Sequence, residues 1–239
     1  MTASPWVVIT GASRGIGRAT ALAFAQAGRP VALIGRGAAE LDDLVAEITH
    51  LGGQAVALPL DLSQVAQVRP AVTDLVVRLG GVDILVNNAG MGYTAGLADT
   101  PLADWQRVLD LNLTAAFQCI QAVLPAMRAA HRGTILNVVS IAGRQTFPDW
   151  GAYCVSKFGL LALSQTLAAE ERLHGIRVCG FCPGAVNTPI WDTPTVQADF
   201  NRAAMLTPEI VAQTLVHVAL LPEEAAVEEL VLMPRGGAF

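Results

Sequence analysis

Short runs of apolar, often β-branched residues alternate along the chain with longer segments in which apolar positions recur every three or four residues. The short runs predict strands and the longer segments predict helices. The predicted strands are 6–10, 31–34, 55–60, 83–86, 134–139, 176–181 and 229–233, and the predicted helices are 15–28, 38–51, 64–79, 102–130, 151–174 and 208–221. This alternation is typical of β-α-β units wound into a parallel sheet.

The strands between the first and the last are almost continuously apolar, which indicates a sheet that is covered on both faces. The elements fill the chain without a linker or an internal repeat. We therefore predict one α/β domain over residues 1–239, a doubly wound parallel sheet of about seven strands with helices on both faces.

Two predicted helices, 102–130 and 151–174, carry apolar residues on more than one face. One face can pack on the sheet, but the other also needs to be buried. We expect a second copy of the chain to cover it, giving a dimer or a tetramer. Burial under a loop of the same chain is the alternative.

Composition and charge narrow the function classes. Of the 239 residues 53% are hydrophobic and 15% are charged, with a net charge of −5, which excludes a disordered chain and allows a large core. Neither sign of charge forms a run, so we expect no nucleic-acid or membrane-surface partner. The N-terminal residues lack the pattern of a signal peptide, and no apolar run is long enough to span a membrane, so we expect a cytoplasmic protein.

The four cysteines are expected to be reduced core residues, because Cys179 and Cys182 form a C-x-x-C inside an apolar, strand-like run with no second ligand pair. The histidines are isolated as well. The sequence therefore predicts no metal site.

A glycine-rich turn follows the first predicted strand. Residues 10–17 read T-G-A-S-R-G-I-G and open the first predicted helix. Glycines at this junction let backbone N–H groups approach a pyrophosphate at the positive end of the helix. Glycines also serve ordinary strand-to-helix turns, so the turn alone is moderate support for a dinucleotide site.

The end of the second predicted strand indicates which dinucleotide is bound. The chain reads V-A-L-I-G-R over 31–36, with no carboxylate before Glu40 to accept a hydrogen bond from a ribose 2′-hydroxyl. Arg36 and Arg14 suit the 2′-phosphate of NADP(H) by charge and by their forked donors. Two solvated surface arginines are the alternative.

Ser140, Tyr153 and Lys157 form the most specific candidate for catalysis. Tyr153 and Lys157 are four residues apart on a predicted helix, so they share a face, and the ammonium can favour the phenolate. Ser140 follows the fifth predicted strand, where open α/β sheets place ligand-facing residues. On its own, Y-x-x-x-K arises often by chance.

Taken together, these motifs resemble the short-chain dehydrogenase/reductase family over essentially the whole chain. The matching elements, in family order, are T-G-A-S-R-G-I-G at 10–17, Asp61-Leu62, N-N-A-G at 87–90, Asn112, Ser140, Tyr153 with Lys157, and Pro183-Gly184 followed by Thr188. The resemblance implies a Rossmann-type fold, NADP(H) as cofactor, and interconversion of a carbonyl compound and an alcohol.

The resemblance also implies residue roles. Tyr153 would be the general acid or base, Lys157 would lower its pKa and bind the nicotinamide ribose, Ser140 would bind the substrate oxygen, and Asn112 would hold a proton-relay water. The implied cofactor-binding set is Gly11, Ser13, Arg14, Gly15, Ile16, Gly17, Arg36, Asp61, Leu62, Asn88, Ala89, Gly90, Tyr153, Lys157, Pro183, Gly184, Val186 and Thr188. Within that set, Asp61 and Leu62 would contact adenine, Asn88 to Gly90 the adenine ribose, and Val186 and Thr188 the carboxamide.

Substrate choice is expected to depend on the loop 187–206, where Trp191 and Phe200 are apolar candidates for a lid, and on residues near Ser140, with Trp150 favoured. A reductase of small carbonyl compounds is the first interpretation. A 3-oxoacyl-[acyl-carrier-protein] reductase is the alternative, in which Arg128, Arg132 and Arg172 would dock an acidic carrier protein. A catalytically silent NADP(H)-binding regulator is a remote third, since Asn112, Ser140, Tyr153 and Lys157 are all retained.

Overall fold

The sheet of the computed structural model, which describes residues 6–198 and 201–237, contains seven parallel strands in the order β3-β2-β1-β4-β5-β6-β7. The strands are β1 Trp6–Thr10, β2 Val31–Gly35, β3 Ala55–Pro59, β4 Val82–Asn87, β5 Gly133–Val138, β6 Ile176–Pro183 and β7 Glu229–Leu232. Each predicted strand is present, with its ends shifted by at most two residues.

Helices cover both faces of this sheet. They are α1 Gly15–Gln26, α2 Ala38–His50, α3 Val65–Leu79, α4 Leu102–Leu109, α5 Ala115–Ala130, α6 Gly151–Glu171 and α7 Pro208–Ala219. Successive side chains of a strand point to opposite faces of the sheet, and because both faces are covered here, apolar residues follow one another along a strand. In β1, Val7 and Ile9 pack into one core cluster with Phe24 of α1, while Val8 packs into the opposite cluster with Val72 of α3. The doubly wound α/β architecture is therefore confirmed.

The predicted helix 102–130 is not one regular helix. A π-helical turn, Asp110–Thr114, separates α4 from α5. Its physical cause is the buried side chain of Asn112, which bonds to groups outside its own helix, as described below. The predicted helix 151–174 also ends early, at Glu171, and continues as a 3-10 turn over Arg172–His174 because Gly175 takes a φ of +71°.

By length and composition alone, the helical stretch Leu102–Ala130 could cross a membrane. In this structure α5 packs against α3 and β4, and α4 packs against α6. That placement is typical of a core helix.

The outward side of α5 and α6 keeps exposed apolar residues. Phe117 is 39% exposed, Val155 47% and Phe158 40%, whereas Ile120, Leu160 and most other apolar residues of these helices are buried. Within the described residues, no loop of the chain covers those three side chains.

All four cysteines are buried free thiols. Cys179 and Cys182 belong to different core clusters. This separation places the C-x-x-C thiols on opposite faces of β6, as expected for core residues.

Candidate active site

A cleft of about 700 Å³ lies at the carboxyl ends of the strands, where the order reverses between β1 and β4. Open α/β sheets bind ligands at this point. The cleft is lined by every residue of the expected cofactor set except Gly17, and by Ser140; the expected catalytic residue Asn112 lies outside the lining.

Gly11 and Gly15 shape the turn after β1. Gly11 has a φ of +66° and Gly15 a φ of +55°, conformations that favour glycine. Gly17 is buried, and a Cβ atom at position 17 would overlap the carbonyl oxygen of Gly11. The assignment of Gly17 as a cofactor contact stays a prediction, and the structure shows a packing role for it. The absence of a side chain at position 17 allows α1 to pack closely against the backbone of Gly11.

The first turn of α1 faces the cleft without a side-chain cap. Arg14 is the N-cap residue, in extended conformation, and the first turn contains no acidic residue. By contrast, the Thr207 hydroxyl caps α7 by accepting a hydrogen bond from the N–H of Ile210. Uncapped N–H groups at the positive end of a helix are the donors that a phosphate group requires.

Thr10 and Asn88 connect the glycine turn to the end of β4. The Thr10 hydroxyl oxygen accepts hydrogen bonds from the N–H groups of Asn88 (2.9 Å) and Ala89 (3.0 Å). The Asn88 amide donates to the carbonyl oxygens of Thr10 (2.9 Å) and Gly11 (3.2 Å). The side chain of Asn88 thus holds the turn in place. Thr10 belongs to the motif, but the sequence did not single it out as a site residue.

Arg14 and Arg36 both line the cleft. Glu40 lines it as well, which sequence reasoning did not anticipate. Its carboxylate folds back over Gly37, where a Cβ atom would overlap it. Asp61, which also lines the cleft, is oriented by Ser63, whose N–H (3.0 Å) and hydroxyl (2.8 Å) both donate to Oδ1 of Asp61. The glycine turn, the uncapped helix and the two arginines fit a dinucleotide with phosphate groups.

Tyr153 and Lys157 project from the start of α6 towards the end of β5. The Lys157 ammonium donates to the carbonyl oxygen of Val138 at 2.9 Å and lies 5.8 Å from the centroid of the Tyr153 ring. The Ser140 hydroxyl oxygen accepts a hydrogen bond from the N–H of Ala142 at 3.1 Å, and the Ser140 side chain hydrogen-bonds the Tyr153 phenol. Three of the four predicted catalytic residues, Ser140, Tyr153 and Lys157, therefore meet in one place.

Burial dominates the electrostatics of this pair. It raises the pKa of Tyr153 to about 12, and the hydrogen bond from Ser140 only partly opposes it. Burial lowers the pKa of Lys157 to about 8. At neutral pH the phenol is therefore protonated and the amine is mostly charged. The lowering of the tyrosine pKa by Lys157 stays a prediction.

The Asn112 side chain is fully engaged inside the protein. Its oxygen accepts from the N–H of Met91 (2.8 Å), and its amide donates to the carbonyl oxygen of Met91 (3.0 Å) and to the hydroxyl of Ser156 (3.0 Å). The two N–H donors of the amide are thus both used, in bonds that fix the π turn against residue 91 and α6. The role of Asn112 in holding a relay water stays a prediction.

Aromatic side chains surround Tyr153. Trp150 makes an edge-to-face contact with Tyr153 (5.4 Å between centroids) and another with Trp191 (5.9 Å). Both indoles and Phe147 line the cleft. Phe200, the other lid candidate, lies outside the described residues.

The three arginines considered for carrier-protein docking lie near the starts of β5 and β6, at the edge of the sheet opposite the cleft. Each has a carboxylate partner in the chain: Arg128 pairs with Glu171, Arg132 with Asp83 and Arg172 with Glu228. Within one chain, these residues do not border the cleft.

Comparison with known proteins gives consistent matches. A family model described as short chain dehydrogenase matches residues 5–198. The chain is 37% identical to a sepiapterin reductase of Chlorobaculum tepidum, covering 97% of this chain and 96% of that protein. It is 33% identical to a 3-oxoacyl-[acyl-carrier-protein] reductase of Synechocystis, covering 96% and 95%.

Two solved structures are similar over nearly the full length. One is a metagenomic short-chain oxidoreductase in complex with NADP, with a TM-score of 0.85, 33% identity and 96% coverage of both chains. The other is an alcohol dehydrogenase from the archaeon Thermococcus sibiricus complexed with 5-hydroxy-NADP, with a TM-score of 0.89, 29% identity and 97% coverage of both chains.

Proposed function

The chain belongs to the short-chain dehydrogenase/reductase family, whose members are oxidoreductases acting on CH–OH groups, and on that premise we propose that it reduces small carbonyl compounds with NADPH. The observation that carries the proposal is the meeting of Ser140 and Tyr153 in the same cleft as the glycine turn and Arg36. A dinucleotide bound along that cleft supplies the hydride.

The chain's own residues manage the proton. Tyr153, protonated at neutral pH, is the donor to the carbonyl oxygen during reduction, and in the reverse direction its phenolate is the base. Ser140 places its hydroxyl beside the phenol, where it hydrogen-bonds the substrate oxygen and stabilises developing negative charge. Lys157, anchored on Val138, supplies positive charge next to the ring.

NADP(H) is favoured over NAD(H) by Arg36 and Arg14. Both side chains line the cleft near the ends of β1 and β2, where an adenosine 2′-phosphate would accept their hydrogen bonds. The bound NADP and 5-hydroxy-NADP of the two similar structures support this preference. Glu40 faces the same region, so its charge opposes the two arginines.

A 3-oxoacyl-[acyl-carrier-protein] reductase is the second candidate, favoured by 33% identity to the Synechocystis enzyme. An acyl carrier protein would have to dock without help from Arg128, Arg132 and Arg172 of the same chain, because these arginines lie at the end of the sheet opposite the cleft.

A silent NADP(H)-binding regulator is disfavoured, because Ser140, Tyr153 and Lys157 lie together as catalysis requires. We also propose a cytoplasmic location, where reducing conditions suit four free thiols.

The deciding experiment follows NADPH oxidation at 340 nm on a panel of small ketones, diketones, aldehydes and an acetoacetyl thioester, repeated with NADH. We expect turnover of small carbonyl compounds and faster reaction with NADPH. Preference for the thioester would favour the second candidate. Bound cofactor without any turnover would favour the regulator.

A further inference from the structure

Two of the four tryptophans of the chain, Trp150 and Trp191, line the cleft beside the reacting hydroxyl groups. Trp150 lies between Tyr153 and Trp191 and meets each ring edge to face, at interplanar angles of 68° and 69°. The three aromatic rings therefore form one continuous apolar surface that starts at the proposed proton donor.

Hydrogen bonds hold the indole of Trp191 and the backbone of Trp150. The Trp191 indole N–H donates to the carbonyl oxygen of Val186 at 2.7 Å, so this ring offers the cleft apolar surface rather than a free donor. The Trp150 backbone donates to Phe147 (3.2 Å) and accepts from Cys154 (2.8 Å). An aromatic ring that is already immobilised loses little conformational entropy when a ligand packs against it.

Close packing of the substrate loop narrows the space beside these rings. A Cβ atom on Gly92 would lie 2.6 Å from Cγ2 of Val196 and 3.7 Å from Cζ3 of Trp150. The backbone N–H of Thr94 donates to the carbonyl oxygen of Thr195 at 2.9 Å, and the Thr195 hydroxyl donates to the carbonyl oxygen of Gly92 at 2.8 Å. Residues 189–196 are thus fixed against residues 92–94.

The two segments that surround these rings contribute no charged side chain to the cleft lining. None of the lining residues from segments 140–153 and 189–196 is ionic. The nearest lining cations are Lys157, which donates to the carbonyl oxygen of Val138, and Arg107, which pairs with Asp104 at 3.3 Å. A carboxylate packed against the two indoles would lose hydration without an ionic partner among the lining residues of these two segments.

We infer that Trp150 and Trp191 form an aromatic wall that selects uncharged carbonyl substrates bearing a flat ring next to the reacting group. The inference rests on the proposed carbonyl reduction and adds the substrate class. Stacking on the wall stabilises the ring, and the apolar surroundings exclude anionic oxo acids.

The test compares 1-phenyl-1,2-propanedione with 2,3-butanedione, two diketones that differ in a phenyl group in place of a methyl group. We expect kcat/KM with NADPH to favour the phenyl compound roughly tenfold or more, with acetoacetate a poor substrate. Trp191→Leu should remove most of this preference through KM, whereas Trp191→Phe should keep much of it. Trp6→Phe, at the start of β1, is the matched control and should leave the preference unchanged.

A second measurement does not depend on turnover. The Kd of each diketone for the complex with oxidised NADP⁺ is measured by calorimetry in the wild type and in Trp191→Leu. Tighter binding of the phenyl compound that is lost in the variant supports the wall. Equal Kd values, or a preference unaffected by Trp191→Leu, would overturn it. Failure of every carbonyl to react while NADPH binds would instead refute the proposed function, and the Kd comparison would still decide the wall.

Discussion

The Lys157 ammonium donates a 2.9 Å hydrogen bond to the backbone carbonyl oxygen of Val138, the last residue of β5. This bond ties the first turns of α6 to the strand that leads into Ser140. The proton donor on the helix and the hydroxyl after the strand are therefore held at a fixed separation, as expected for groups that must contact the same substrate oxygen.

Tyr153→Phe tests the proton donor. Loss of the phenol oxygen should reduce turnover by roughly 10²- to 10⁴-fold, with little change in the Kd of NADPH, because the ring remains. Stopped-flow and steady-state assays with one fixed carbonyl substrate give both values. Tyr93→Phe removes the other tyrosine hydroxyl of the chain, which bonds to Asp104 at 3.2 Å, and should retain turnover. Comparable activity in Tyr153→Phe and the wild type would exclude the assigned acid.

Arg36→Asp tests the cofactor preference. Removing a charge-assisted contact to the 2′-phosphate and adding a negative charge should weaken NADPH by roughly 10- to 100-fold, while NADH changes little. Fluorescence titration gives both dissociation constants. Arg69→Asp makes the same charge change on α3, where Arg69 bonds to Gln121, and should leave the ratio of the constants unaltered. An unaltered ratio in Arg36→Asp would disprove the assignment.

Phe158→Glu tests the proposed self-association. Phe117, Val155 and Phe158 form an exposed apolar face. A carboxylate placed in this face should reduce the size of the oligomer, because burying an unpaired charge in an interface costs several kcal/mol (order of magnitude). Size-exclusion chromatography with light scattering gives the mass. Leu51→Glu, at a 61% exposed position after α2, is the control. If the wild type is a monomer, or the mass does not respond to Phe158→Glu, that face is not the interface.

Arg128→Met tests a buried carboxylate. Glu171 is 1% exposed, and the hydrogen bond from Arg128 holds its pKa below the usual range. A depressed folded pKa contributes stability that is present above the unfolded pKa and lost as the pH falls through the folded pKa. Arg128→Met should therefore lower the Tm by several degrees at pH 7 and by less at pH 4, where the carboxyl group can protonate.

The control for this experiment is Arg172→Met, which removes an arginine whose pair with Glu228 is exposed on both sides. It should leave the Tm almost unchanged at both pH values. Equal losses of Tm at pH 4 and pH 7 in Arg128→Met would contradict the electrostatic explanation.

The strands were predictable because their apolar runs are too short for buried helices and are rich in β-branched residues. Most of the cleft was predictable too, because the glycine turn, Arg36, Ser140 and Tyr153 follow strand ends that topology brings together. The π turn at Asp110–Thr114 was not, since it depends on long-range bonds from Asn112 to Met91 and Ser156.

Two further features could not be predicted from the sequence. Gly17 has the same spacing signal as the other glycines of the turn, but only the structure shows that it faces Gly11 and not the cleft. The indole bond of Trp191 to Val186 depends on how the loop after β6 folds back. Local patterns carry no information about either contact.

The N-terminus of α1 lacks a side-chain cap and has Gly15 and Gly17 in its first turn, each less favourable for a helix than alanine by about 1 kcal/mol. A phosphate group bound there would satisfy the free N–H groups of the first turn. We therefore expect the stability of α1 to depend on ligand occupancy, and a rise in melting temperature with added dinucleotide would measure this effect.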